Sequence, residues 1–88
     1  MFSKTVRVGS TTGLHVRPAT LISEAAGRFE EEITVALVGE EDDGVVATSS
    51  LMLMTLGAEA GDEILVSSED EAAVEAIAAL VETDLDPQ

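Results

Sequence analysis

Gly13-Leu14-His15-Val16-Arg17-Pro18-Ala19 brings together a histidine, an arginine two residues later, and a proline directly after that. His15 is the only histidine among the 88 residues. Imidazole is both nucleophilic and largely neutral near neutral pH. Pro18 has no N–H and a φ fixed near the helical value, so it suits the first turn of a helix and not its interior. After it, Ala19, Ile22, Ala26 and Phe29 recur at helical spacing. The pattern predicts a helix beginning near residue 16, with His15 at or just before its cap. A helix N-terminus offers unpaired N–H groups and a partial positive charge, which together attract anions. Arg17 adds a full charge and a planar fork of donors that fits phosphate. A cation there opposes the helix dipole, and a bound anion offsets the opposition. These are the parts of a phosphohistidine site. His15 would accept the phosphoryl group, Arg17 would balance its charge, and Thr12, Val16 and Pro18 would support it. Thr12 serves equally well as a plain turn residue. A lone histidine in a glycine-flanked loop is more often solvated than functional, so the motif depends on its context.

The elements around the motif are short. Phe2 to Val8 alternates, with Phe2, Lys4, Val6 and Val8 on one side, and reads as a half-buried strand. Lys4 would lay its stem on the core and keep its charge in water. Gly9 to Gly13 is a flexible polar loop. The first helix would end near Gly27 or Arg28, with Arg28 complementing its C-terminal dipole. Ile33 to Val38 is a second strand that buries Ile33, Val35 and Leu37. Gly39 to Gly44, with four consecutive acids, is a solvated turn before a short strand, Val45 to Ala47. Glu63 to Ser67 is a fourth strand with Ile64 and Val66 inward. Ser68-Glu69-Asp70-Glu71 reads as a capping box that opens the last helix. Ala73, Val74, Ile77, Leu80 and Val81 form its apolar stripe. Pro87 stops any continuation, and the tail frays. The order is βαββαβα within one domain, residues 1–88. It implies an α+β open-faced two-layer sandwich: a four-stranded antiparallel sheet with three helices on one face.

Ser49 to Leu56 is the second informative stretch. Ser49 is a good N-cap. The short helix after it has more apolar residues than one face can bury: Leu53 and Leu56 share a side, Leu51 and Met54 another, and Met52 lies between. Ser50, Leu51 and Met54 are therefore expected to form a partly exposed docking patch, with methionine suited to a surface that accepts several partners.

The residues from Gly13 to Ala19 resemble the active-site motif of HPr, the histidine phosphocarrier family of the phosphoenolpyruvate-dependent sugar phosphotransferase system. Thr48-Ser49-Ser50-Leu51-Met52-Leu53-Met54-Thr55-Leu56-Gly57 resembles the family's second signature, a short helix that opens with a serine and closes with Leu-Gly. The resemblance covers essentially the whole chain. It implies the same βαββαβα sandwich, phosphoryl transfer to His15, and no cofactor. It also implies an enzyme I-type phosphotransferase as donor and a sugar-specific enzyme II component or a kinase as acceptor. Family members use Nδ1 of the histidine; the residues here leave both ring nitrogens open. Other acceptors in keeping with the same chemistry are a dihydroxyacetone kinase complex and a nitrogen-regulatory branch. A regulatory docking module without phosphoryl flux would have no need of the nucleophile. Ser49 aligns with a serine that some relatives phosphorylate in regulation. Thr48 and Met52 stand where the family usually has lysine and glycine, which favours the plain N-cap role. The Gly39–Gly44 connection is longer than the family's by about three residues.

Composition narrows the classes further. There is no cysteine, so no disulfide framework or thiolate metal site, and one histidine excludes a multi-histidine site. Eighteen acids against four bases give a net charge of −14, which excludes a basic nucleic-acid-binding surface. Only two residues are aromatic by count, both phenylalanine, so base stacking has little to work with. No apolar run approaches bilayer length, and the N-terminus lacks a leader pattern, so a monomeric cytoplasmic protein is expected. Hydrophobic residues make up 45% and are regularly patterned, so this is not a disordered composition. The acids are dispersed over 30–32, 40–43, 59–63, 69–71, 75 and 82–86. Dispersion favours adaptation to high intracellular salt, where screening suppresses self-repulsion, over recognition of one basic partner. The melting temperature and circular-dichroism spectrum should therefore collapse as salt is removed; an unchanged spectrum at low ionic strength would contradict the adaptation.

Overall fold

The computed structural model describes residues 1–11 and 13–83. Its elements are β1 (Phe2–Arg7), α1 (Val16–Ala26), β2 (Ile33–Leu37), a 3-10 turn (Glu41–Asp43), β3 (Val45–Val46), α2 (Ser50–Thr55), β4 (Glu63–Ser68) and α3 (Glu71–Glu82). The expectations for Thr12 and for the tail from residue 84 to 88 lie outside the described residues.

The strands form one antiparallel sheet in the order β1-β4-β2-β3. Its register places inward residues opposite inward residues. Val6 faces Ile64, Val35 faces both Val66 and Val45, and Leu37 faces Ile64. Directly opposed side chains share a face, so this register gathers the apolar half of each strand on one side. The helices cover that side: α3 packs on β1 and β4, and α1 packs on α2 and α3. This is the α+β open-faced sandwich that the sequence predicts. Ile22 of α1, Leu53 of α2, Ile77 of α3 and Ile64 and Val66 of β4 are each 0% exposed. Each such side chain contributes about 1.5–3 kcal/mol by leaving water.

Several local readings need correction. Phe2 is 46% exposed rather than inward, because it ends an edge strand. Lys4, by contrast, keeps its charge in water as expected, where its Nζ lies 3.1 Å from the exposed Glu75 Oε1 on α3. Leu37 and Leu80 are only half-buried. The last helix is not capped by Ser68. Strand β4 runs on through Ser68, which pairs with both Phe2 and Ile33. Asp70 is the N-cap instead, its carboxylate accepting from the Ala72 N–H at 3.0 Å, and Ser68 Oγ accepts from the Asp70 N–H at 3.2 Å. Two-sided pairing of β4 thus shifts the helix start. The acidic Gly39–Gly44 connection contains the 3-10 turn. Glu41 Oε2 accepts from the Gly39 N–H at 2.8 Å, and that bond holds its carboxyl below the ordinary value. The bond supports the turn at neutral pH and is lost in acid, as pH falls through the lowered value.

The loop from Val8 to Leu14 is tied by backbone at several points. Val8 N–H donates to Asp62 O at 2.9 Å, and Gly9 N–H to Val81 O at 3.0 Å. Gly13 N–H donates to Ser10 O at 3.1 Å, and Leu14 N–H to Ala58 O at 3.1 Å. A Cβ at Gly9 would collide with the carbonyl of Glu82, and one at Gly13 with the carbonyl of Ala58. Gly13 also has φ +76°, a left-handed conformation that side chains resist.

Two expected outcomes follow from these contacts. Leu53→Ala should destabilise the fold by about 2–5 kcal/mol, read from denaturant unfolding at fixed salt. Gly13→Ala should lower the melting temperature more than Gly57→Ala. Gly57 has a similar φ of +68° but nothing within 4 Å of an added Cβ, so equal effects would show that the approach to Ala58 is not tight.

Candidate functional site

His15 is the N-cap of α1. Its backbone is extended, with φ −87° and ψ −163°, and its carbonyl accepts the helix's first bond from the Ala19 N–H at 2.9 Å. The reading of the chain around residue 16 therefore holds at the level of the helix start. Pro18 occupies the third helical position, inside the first turn. Pro18 and Ala19 are buried, while His15, Val16 and Arg17 are exposed. The first turn is thus anchored to the core on one side and open to solvent on the other.

The three helices begin differently. At α2, Ser49 Oγ accepts from the Met52 N–H at 3.2 Å, and at α3 the Asp70 carboxylate fills the same role. At α1 no side chain among the described residues caps the terminus, and no acid lies in the first turn. Thr20 does not supply one either, because its Oγ1 donates back to Val16 O at 2.7 Å. Among the described residues nothing accepts from the amides of Val16 and Arg17, so they can receive an acceptor from outside. The Arg17 guanidinium takes part in no hydrogen bond or ion pair among the described residues. An anion at this terminus would meet unpaired amides, the positive end of the dipole, and an uncommitted guanidinium. The imidazole of His15 stands at the same terminus.

The bond from Leu14 to Ala58 joins the end of the His15 loop to the turn that follows α2. Ser49 and Ser50 lie at the opposite end of α2, about 9 Å away along six residues. Both are half-buried. On α2 itself Leu51 is 68% exposed and Met52 42%, whereas Met54 is half-buried against the core. Met52 and Met54 flank Leu53 on opposite sides, and the core closes over the Met54 flank. The exposure of Met52 was not legible from the helical spacing, because both flanks are equivalent until a neighbour covers one. Leu21, at 39%, is also exposed; it lies on the arc of α1 opposite Ala19, Ile22 and Ala26. Its place opposite that buried stripe is legible in the helical spacing. A groove of about 380 Å³ is lined by Leu37, Val45, Met52 and Leu56 with Glu40 and Asp43 at its rim, and His15 is not part of it.

The family model described as "PTS HPr component phosphorylation site" matches residues 2–83. The phosphocarrier protein HPr of Streptomyces coelicolor is 37% identical over 89 residues, spanning 98% of this chain and 94% of that one. The HPr of Vibrio cholerae is 36% identical over 81 residues, covering 92% of each. Among solved structures, HPr-C-His from Thermoanaerobacter tengcongensis superposes with a TM-score of 0.85 at 31% identity, covering 100% of this chain and 99% of that one. With matches that run nearly end to end and the two signatures in order, the chain belongs to the HPr phosphocarrier family of the phosphotransferase system.

Proposed function

We propose that His15 accepts a phosphoryl group from an enzyme I-type, phosphoenolpyruvate-dependent phosphotransferase and passes it to a sugar-specific enzyme II component. The observation that carries this reading is the uncapped start of α1 with Arg17 uncommitted beside it. In the transfer, a ring nitrogen uses its lone pair to attack phosphorus. The P–N bond forms as the bond from phosphorus to the donor breaks, and that electron pair leaves with the donor. Arg17 balances the charge on the phosphoryl oxygens, and the Val16 and Arg17 amides receive them. Pro18 keeps the first turn seated, and Thr12 is assigned a supporting hydroxyl.

A carrier must give up what it binds, so the site should stabilise the phosphoryl group only moderately and stay open to a second protein. An exposed His15 is in keeping with that. The docking patch is Ser50, Leu51 and Met54, to which Met52 is added. Ser49 acts as the helix cap; a phosphate there would add charge next to Leu51 and oppose docking. The protein works as a monomer in the cytoplasm at high salt, in keeping with its dispersed acids. Among the described residues no helix is long and apolar enough to cross a membrane.

Incubation with phosphoenolpyruvate and the enzyme I-type protein of the same source, in high salt, should add one acid-labile, base-stable phosphoryl group by intact mass. His15→Ala should abolish it. Arg17→Ala should slow acceptance roughly ten- to hundred-fold, the loss of a charge-assisted contact, while leaving the fold intact. No labelling of folded protein by an active donor would end the carrier reading. Transfer onward to a dihydroxyacetone kinase instead of an enzyme II component would reassign the acceptor.

A further inference from the structure

The groove of about 380 Å³ beside α2 has an apolar floor and an acidic rim. Leu37 at the end of β2, Val45 of β3, and Met52 and Leu56 at α2 give the floor. Met52 stands where the family usually has glycine, so that part of the wall is this chain's own. The Gly39–Gly44 connection closes the other side and brings Glu40 and Asp43 to the rim. A second hollow of about 240 Å³, with the exposed Val38 in its wall, shares Leu37 and Glu40 with the first. The two run together as one channel in which apolar side chains and carboxylates are interspersed.

The rim is uncompensated. Glu41 of the same turn accepts from the Gly39 N–H and is committed there. The carboxylates of Glu40 and Asp43 take part in no hydrogen bond or ion pair among the described residues. The chain's own cations do not fill the site. Lys4 and Arg7 belong to β1, at the far edge of a sheet ordered β1-β4-β2-β3, and neither Arg17 nor Arg28 lines either hollow. Two carboxylates over an apolar floor are too few oxygen ligands for calcium or magnesium, which take about six or more. They suit a lysine or arginine side chain, whose apolar stem lies along the floor while its charged head stays at the rim.

We infer that this channel docks an extended segment of a partner protein in which aliphatic residues are interspersed with lysine or arginine. A channel this small takes a few side chains of an extended chain rather than the face of a helix. His15 lines neither hollow, so the partner binds whatever the state of the histidine. The inference is therefore independent of the carrier reading. A net charge of −14 attracts cations to the whole molecule, and the apolar floor makes this one place selective.

The probe is the peptide acetyl-Leu-Arg-Leu-Arg-Leu-amide. It is titrated into isotope-labelled protein, at the lowest KCl concentration that leaves the circular-dichroism spectrum unchanged, and followed by amide chemical shifts. The shifts should change over residues 37–45 and 52–56. Glu40→Gln combined with Asp43→Asn should weaken binding about three- to thirty-fold, the loss of two ion pairs at a rim. Glu30→Gln combined with Glu31→Gln removes the same charge elsewhere and should leave affinity within about two-fold. His15→Ala should bind as the parent does. Acetyl-Ser-Arg-Ser-Arg-Ser-amide should bind about ten-fold more weakly, because it has nothing to bury on the floor. Equal weakening by the two pairs of substitutions, or equal binding of the serine peptide, would show general attraction to an acidic surface and overturn the inference. Shift changes centred on Val16, Arg17 and Leu51, or loss of binding in His15→Ala, would overturn it by placing the peptide at the phosphoryl site. Concentration-dependent shifts of residues 37–45 in the protein alone would give the channel to a second copy and overturn it as well.

Discussion

The Leu14 amide and the Ala58 carbonyl meet at 3.1 Å, and this close approach of two backbones positions the site. It requires a residue without a side chain at Gly13, in a left-handed conformation, because a Cβ there would strike the same carbonyl. Four residues earlier Gly9 makes a second close approach, to the end of α3. The loop is therefore held by backbone at both ends. His15 is delivered to the start of α1 without any hydrogen bond that would occupy its ring in capping. Burial of Pro18 and Ala19 then fixes the direction of the helix, so that its open terminus and the exposed side of α2 belong to one surface.

That terminus is a local exception to how this protein builds helices. Ser49 and Asp70 satisfy first-turn amides at α2 and α3, each worth about 1 kcal/mol. At α1 the equivalent stabilisation is absent, and a cation sits where the dipole disfavours it. Departures from local consistency tend to mark functional positions, and the phosphoryl group proposed for His15 would be an anion at this one. The same division of labour governs charge. Acids crowd the loops and α3, where water and salt can screen them, and they thin out over α1 and α2.

Particular elements show how far the sequence could be read. Alternation in 33–38 and 63–67 identified β2 and β4 to within a residue, because a sheet buried on one face imposes a period of two. Phe2 fits the same alternation and is exposed all the same, since the pattern does not reveal which strand is an edge. Ser68-Glu69-Asp70-Glu71 had two residues able to cap, and pairing of Ser68 with strands on both sides decided for Asp70. At the candidate site, the types and spacing of His15, Arg17 and Pro18 placed the start of α1. Leu51 was legible as exposed, whereas the distinction between Met52 and Met54 depended on what packs beside α2.

By itself the sequence determined a histidine and an arginine two residues apart, the helix that begins beside them, and the βαββαβα order. Residue chemistry and local periodicity act over a few residues, so these features need nothing distant. Tertiary structure alone decided the sheet order β1-β4-β2-β3, the tether from Leu14 to Ala58, the need for glycine at positions 9 and 13, and which flank of α2 stays open. Those depend on groups far apart in the chain meeting within a few ångströms, and their geometry is set by packing rather than by any local preference.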